Sequence, residues 1–262
     1  ALAATTATAA HAAALGTVDA TYNNNSPTGT AEIFFDFGDT NYNNAHVYTG
    51  RSNFTVNSVS SELEGVGPFI AGEEFQAFCV DFQQEITTST EATWELVDLA
   101  TVPYPSTSTG YPDGMGSERA GWLQRLFEQN YGSIDDPDPN TDDQRKINAT
   151  AFQIAAWDLI YDAEDDNVET GARFHVNDIT SDNDSDVYTR ANDWVADAKA
   201  NGLSDGSVYA LRSETTQDFA ILLDGFDPNS PPTAIPLPAA AWMGVVLLGS
   251  LATGGGIRRL RW

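Results

Sequence analysis

The one cysteine of the chain, Cys79, is the side chain with the clearest capacity for chemistry. It lies in the segment Phe78-Cys79-Val80-Asp81, which its aromatic and β-branched residues predict to be part of a strand. A single cysteine has no partner for a disulfide within the chain, so its thiol is buried and inert, pairs with another chain, or takes part in a reaction. The residues alone leave these three alternatives open.

A second segment, residues 151–157 with the sequence AFQIAAW, lies in a predicted helix. The two segments together resemble the thioester domains of bacterial surface adhesins, in which a cysteine after an aromatic residue on a strand pairs with a glutamine in a helix motif close to Thr-Gln-x-Ala-Ile-Trp. Gln153, Ala155 and Trp157 match that motif, whereas Phe152 replaces its threonine and Ala156 its isoleucine. Residues 216–222 resemble the closing strand of the same family.

The resemblance implies a reaction between Cys79 and Gln153. The thiol would attack the side-chain amide, expel ammonia and leave a thioester, which a target amine could then open to become joined to Gln153. Phe78, Phe152 and Trp157 would surround the bond and exclude water from it. The alternative is that Cys79 packs as a small hydrophobic residue and that Gln153 caps or bridges within the helical layer.

Acidic loops supply the only candidate metal ligands. Oxygen-bearing side chains recur at alternate positions in one loop, as they do in calcium sites: Asp136, Asp138, Asn140 and Asp142. That loop lacks the glycine of such sites, and Ile147 stands where their bidentate glutamate would be, so a solvated acidic loop is the favoured interpretation. The 3 histidines are too scattered to predict zinc. We therefore expect no cofactor, with calcium as the alternative.

Residues 235–262 form a segment of different character. Its parts are a motif after Ile235, an uncharged and mostly apolar run over residues 239–257, and a basic end: Pro236, Leu237, Pro238 and Ala239, then Arg258, Arg259 and Arg261. Such a run is just long enough to cross a bilayer core of about 30 Å as a helix, with the arginines on the cytoplasmic side. The segment resembles the PEP-CTERM sorting signals of Gram-negative bacteria, most closely the VPLPA variant, with Ile235 in place of valine.

That resemblance implies processing by an exosortase-type membrane protease and transfer of the preceding domain to another anchor. An ordinary C-terminal membrane anchor is the alternative. Residues 1–14 are rich in alanine and threonine and contain small-x-small patterns typical of signal-peptidase sites, so we interpret them as a signal-peptide remnant rather than a disordered leader. Both ends therefore predict an exported protein, held in the cytoplasmic membrane before sorting to the cell surface or extracellular matrix.

The composition restricts the partners of the chain. With 38 acidic and 12 basic residues the formal net charge is -26, which repels nucleic-acid phosphates and anionic lipid head groups. The chain has no phosphate-binding glycine loop. Its one Gly-x-Ser-x-Gly match, residues 202–206, lies between a predicted helix and a predicted strand rather than between a strand and a helix, so it is not the nucleophile turn of a hydrolase. Its carboxylates are too numerous for a glycosidase pair to be picked out. We therefore expect no nucleic-acid binding and no enzymatic activity.

The order of predicted elements is strands, then helices, then strands. It predicts an α+β fold with an antiparallel, sandwich-like body and a helical insertion over about residues 117–200. The expected organisation is one extracytoplasmic domain over residues 15–227, a linker over 228–234, and the sorting segment with its transmembrane helix. The function that we expect is adhesion or matrix attachment to an amine-bearing target. The alternatives are a non-covalent structural component of the envelope or biofilm matrix and, with less support, a secreted glycan-acting enzyme.

Overall fold

The computed structural model describes residues 13–37, 40–82, 84–103, 114–134, 142–162, 164, 167–179, 184–201 and 206–223. Contacts divide the chain into two units, Ala1–Phe226 and Asp227–Trp262, and all of these residues belong to the first unit. The predicted signal-peptide remnant, apart from its last two residues, and the predicted linker and sorting segment lie outside the described residues. Within the described ranges, no helix has the length and apolarity needed to cross a membrane.

The predicted α+β class is confirmed by the elements of the described ranges. The strands are β1 (Gly16–Phe37), β2 (Thr40–Val59), β3 (Glu74–Cys79), β4 (Glu91–Asp98), β5 (Phe174–Ile179), β6 (Val208–Arg212) and β7 (Phe219–Leu222). The α-helices are α1 (Gly116–Asn130), α2 (Asp142–Tyr161) and α3 (Asp184–Ala200). The predicted insertion therefore contains the three helices, but it also contributes the strand β5, which the sequence reasoning missed.

The strands form one antiparallel sheet that closes on itself. Its order is β2-β3-β7-β6-β4-β1-β5, and β2 also pairs with β1, so the first six strands of this order make a ring. The expected sandwich-like body is thus a single closed sheet rather than two facing sheets. Ring closure gives all six strands a partner on both sides, although each strand is paired over only part of its length.

The long hairpin of β1 and β2 belongs to two parts of the fold. Near the chain ends of the hairpin, Gly16–Thr21 pair with β4, whereas Ala31–Phe35 pair with β5 outside the ring. The pairing register shifts between Asn25 and Thr28, and opposite this point Gly50 has a φ of 122°. A Cβ at Gly50 would collide with the Pro27 carbonyl, so glycine allows the two strands to bend together.

The core has one aromatic centre within the ring and another beneath the helices. Inside the ring, the Phe54 ring centroid lies 4.9 Å from those of Phe75 and Phe219 and 5.4 Å from that of Trp94. Outside it, α2 packs on β1, β2, α1 and α3, and every side chain from Ile147 to Asp162 is buried. A helix with apolar residues on all sides is expected at such a central position.

Candidate functional site

The site begins where strand β3 loses one of its neighbours. On one side, β3 pairs with β7 through Phe78↔Ala220 and Cys79↔Phe219. On the other side, its pairing with β2 ends at Ser52↔Ala77, because β2 turns away toward Gly50. The backbone of Cys79 therefore needs hydrogen-bond partners from another element on this side.

Gln153 of α2 supplies both partners. The backbone N–H of Cys79 donates to Gln153 Oε1 at 3.2 Å, and Gln153 Nε2 donates to the carbonyl oxygen of Cys79 at 2.7 Å. The two residues are 74 positions apart in the chain, and Gln153 is only 1% exposed. The structure thus brings together the two residues that the resemblance singled out. The glutamine amide forms with the Cys79 backbone the two hydrogen bonds that a neighbouring strand would otherwise form.

The Cys79 thiol lies in a buried and electrostatically unfavourable place for a negative charge. Its Sγ donates to the carbonyl oxygen of Asp81 at 3.1 Å. Burial raises the pKa of the thiol well above its ordinary value, and the charges of Asp81 and Asp218 raise it further, which outweighs the hydrogen bonds that lower it. The neutral thiol is therefore the resting form near neutral pH.

The aromatic residues predicted around the site divide into two groups. Phe78 and Phe152 are fully buried between the sheet and the helices, with ring centroids 4.4 Å apart. Trp157 lies with Phe82, at 4.3 Å between centroids, and is 2% exposed. Because Gln153 and Trp157 are four residues apart in a helix, they share the face of α2 that meets the end of β3.

The sequence reasoning gave no role in the site to Asp81, Tyr161 or Phe82. Asp81 is 2% exposed, and its carbonyl oxygen accepts from both Cys79 Sγ and Gln217 Nε2, the latter at 3.3 Å. Tyr161 donates from its hydroxyl to the Val80 carbonyl at 2.8 Å, and the Phe82 ring lies 5.3 Å from the Tyr161 ring. The four-residue repeat of polar-tipped side chains at Gln153, Trp157 and Tyr161 is the signal that could have found Tyr161.

The segment 216–222, predicted as a closing strand, supports the site from the ring side. It contains β7, which pairs with Phe78 and Cys79 and so fixes the end of β3. Just before it, the Ser213 backbone N–H donates to Asp218 Oδ1 at 2.7 Å, and Trp94 Nε1 donates to the Gln217 carbonyl at 3.0 Å. These bonds hold the Asp218 side chain and the residue before it, and the charge of Asp218 raises the pKa of the Cys79 thiol.

The other predicted site residues are not brought to this place. Asp136, Asp138 and Asn140 lie outside the described residues, and Asp142 is the first residue of α2. Within the part of the chain that the structure describes, no group of three or more histidine, cysteine or acidic side chains could hold a metal ion. The sorting motif and the terminal arginines also lie outside the described residues.

The geometry of Gln153 and Cys79 suits two different roles. A carboxamide whose oxygen accepts a fixed N–H is polarised for attack at its carbon, which is what acyl transfer requires. The same two hydrogen bonds also satisfy the backbone of β3 where it lacks a neighbouring strand, which is a purely structural role. Comparison with known proteins adds no relative to decide between them, since no protein-family model, curated protein or solved structure matches the chain.

Proposed function

We propose that this chain is an exported bacterial surface protein that attaches to an amine-bearing target through a thioester between Cys79 and Gln153. The observation that carries the proposal is the pair of hydrogen bonds that holds the Gln153 carboxamide against the Cys79 backbone. An attachment role also agrees with the acidic composition and with a sorting signal at residues 235–262. The target, on this proposal, is a primary amine on a protein or polymer of another cell or of the matrix.

Formation of the bond needs no cofactor. Cys79 Sγ attacks Gln153 Cδ, the Cδ–Sγ bond forms as the Cδ–Nε2 bond breaks, and the thiol proton leaves with the nitrogen as ammonia. The developing negative charge on Oε1 is stabilised by the Cys79 N–H that already donates to it. Burial of the residues keeps water from the product, since Cys79 is 8% and Gln153 1% exposed.

The test is the intact mass of the purified chain beside a Cys79→Ala control. Loss of ammonia makes the wild type about 17 Da lighter than its sequence, and methylamine removes that deficit and adds about 14 Da to the sequence mass. The Cys79→Ala chain has its plain sequence mass before and after methylamine. A wild-type chain with its plain sequence mass and a reduced thiol refutes the thioester.

The second candidate is a non-covalent structural component of the envelope or matrix. The observation that favours it is that Gln153 already satisfies the edge of β3 without any reaction. The raised pKa of the thiol and its hydrogen bond to the Asp81 carbonyl also suit an inert core cysteine. In that case Cys79→Ala keeps the attachment properties of the chain, whereas the thioester mechanism requires that they are lost.

A further inference from the structure

Trp157 has a polar atom that the packing of the core does not explain. Its side chain is buried, yet its indole Nε1 has no hydrogen-bond partner within the described part of the chain. A buried N–H without an acceptor has lost its hydrogen bonds to water and gained none in return, so such a group calls for an explanation. Trp94, which among the described tryptophans is also almost fully buried, uses its Nε1 to donate to the Gln217 carbonyl at 3.0 Å.

The unpartnered N–H belongs to the same corner of the fold as the reacting atoms. Trp157 lies one helical turn after Gln153, and its ring packs on Phe82, three residues after Cys79. At rest the structure shows no hydrogen bond from this N–H to the thiol, whose own hydrogen is donated to the Asp81 carbonyl. Burial dominates the pKa of Cys79 and raises it, whereas donation from Trp157 to a charged sulfur would lower it, which agrees with a place for the indole N–H beside Sγ.

We propose that Trp157 is a catalytic donor, whose indole N–H stabilises the negative charge that develops on Cys79 Sγ when the thioester opens. This inference rests on the proposed thioester. In the opening step the amine nitrogen attacks Gln153 Cδ, the Cδ–N bond forms, and the Cδ–Sγ bond breaks with its electron pair moving to sulfur. The proton lost by the amine then neutralises the thiolate, which leaves an amide and a thiol.

This role follows from where the charge must go. Burial and the charges of Asp81 and Asp218 make a thiolate costly at this position, so an unassisted Cys79 is a poor leaving group. A preorganised donor lowers the cost only while the charge exists, and it does not stabilise the uncharged thioester equally. The resting protein therefore bears the cost of an unbonded N–H, and the opening reaction gains from it.

The test replaces the N–H without changing the shape of the ring. Trp157 is exchanged for 3-benzothienylalanine, in which sulfur stands in place of the indole N–H, and Trp94 is exchanged in the same way as the matched control. Both chains and the wild type are followed by intact mass during treatment with methylamine. We expect the deficit of about 17 Da in all three and a rate of opening about 100-fold lower in the Trp157 chain alone.

The outcomes separate the two proposals. No mass deficit in the wild type refutes the thioester, and this inference with it. A deficit in all chains with equal opening rates overturns the role of Trp157 and leaves the thioester standing. A folded Trp157 chain that keeps its plain sequence mass, beside a Trp94 chain with the deficit, also overturns the role as stated, because the replacement then prevents the bond from forming instead of slowing its opening.

A second measurement avoids any replacement of the ring. Fluorinated tryptophans have a more acidic indole N–H, so a chain grown with them offers the sulfur a stronger donor. Opening by methylamine is expected to accelerate about two- to fivefold in this chain, and the acceleration should disappear when Trp157→Phe is added. An acceleration that survives Trp157→Phe contradicts the inference, because another tryptophan would then be responsible.

Discussion

A thioester between Cys79 and Gln153 would be a cross-link, and its effect on stability can be calculated from the fold. The two residues are 74 positions apart, so the bond closes a loop that contains β4, α1 and the part of α2 that precedes Gln153. In the unfolded chain a closed loop of this length removes conformational entropy worth about 4.5 kcal/mol at 25 °C. Opening the bond should therefore lower the free energy of unfolding by about that amount.

The perturbation can be made without a mutation. Methylamine converts the cross-linked chain into one in which Gln153 carries a methyl group and Cys79 a thiol, with the rest of the sequence unchanged. For a domain of this size, a loss of about 4.5 kcal/mol corresponds to a fall of about 10–15 °C in the melting temperature. The Cys79→Ala chain should fall by a further 1–2 kcal/mol, because it also loses the buried sulfur.

The assay is urea unfolding in an amine-free buffer, followed by tryptophan fluorescence, with intact mass checked before and after each series. The untreated chain should also show the smaller m-value, since a cross-linked unfolded state exposes less surface. Treated Cys79→Ala is the control for effects of methylamine itself. If untreated, treated and Cys79→Ala chains all unfold within about 2 kcal/mol of one another, no cross-link exists and the reasoning is wrong.

Three further predictions concern the same corner of the fold. In the Cys79→Ala background, Gln153→Ala should lower the free energy of unfolding by about 2–4 kcal/mol, because two buried backbone groups lose their partners. Gln144→Ala, which removes a partly exposed bond to Asn148, should cost under about 1 kcal/mol in the same urea assay, and equal losses would contradict the structure. In the Gln153→Ala chain, a raised thiol pKa means less thiolate at any given pH, so iodoacetamide should label folded Cys79 at pH 8 at least about 100-fold more slowly than the unfolded chain; similar rates would show an exposed or ionised thiol. Methylamine should open the thioester about 10-fold faster than a branched amine such as tert-butylamine, because both reacting residues are nearly inaccessible; equal rates by mass spectrometry would mean an open site.

The helices and the short central strands could be predicted because their signals are local. The helix predicted to contain residues 151–157 is α2, which spans Asp142–Tyr161. Its apolar residues occur on every face, which is sufficient to predict a buried helix before any partner is known. In the same way, the aromatic and β-branched residues at 78–81 indicated the end of β3, where the side chains are buried.

The long hairpin could not be predicted in this way, because its stability is not local. Residues 23–27 have the asparagine, serine and proline content of a turn, yet β1 continues through them. Side-chain bonds across the hairpin support this polar stretch, among them Asn53 Nδ2 to Asn24 Oδ1 at 2.9 Å and Ser52 Oγ to Asn25 Oδ1 at 2.8 Å. Whether residues 23–27 are extended or form a turn therefore depends on their pairing with β2, which the local sequence does not reveal.

The contact between Cys79 and Gln153 likewise could not be predicted from composition and periodicity. A resemblance singled the two residues out, whereas the fold gives the physical reason for their contact: β2 leaves β3 at Ala77, and α2 places an amide at the vacated edge. The edge needs an acceptor for the Cys79 N–H and a donor for the Cys79 carbonyl, and a side-chain amide offers both. The same amide also has the carbon that a thiol could attack, so glutamine at position 153 suits the structural role and the thioester alike.

Burial of the site determines which molecules could reach a thioester there. An environment that raises the thiol pKa also excludes water, so a thioester would persist there and yet be a poor partner for a large target. Reaction with a macromolecular amine then requires a local movement that exposes Gln153, and the edge of β3 beyond Ala77 is the natural place for it. There the strand is held on one side by a side chain rather than by β2, so its opening breaks two hydrogen bonds instead of a ladder. A target that stabilises this opened state would accelerate its own attachment, which couples recognition to bond formation.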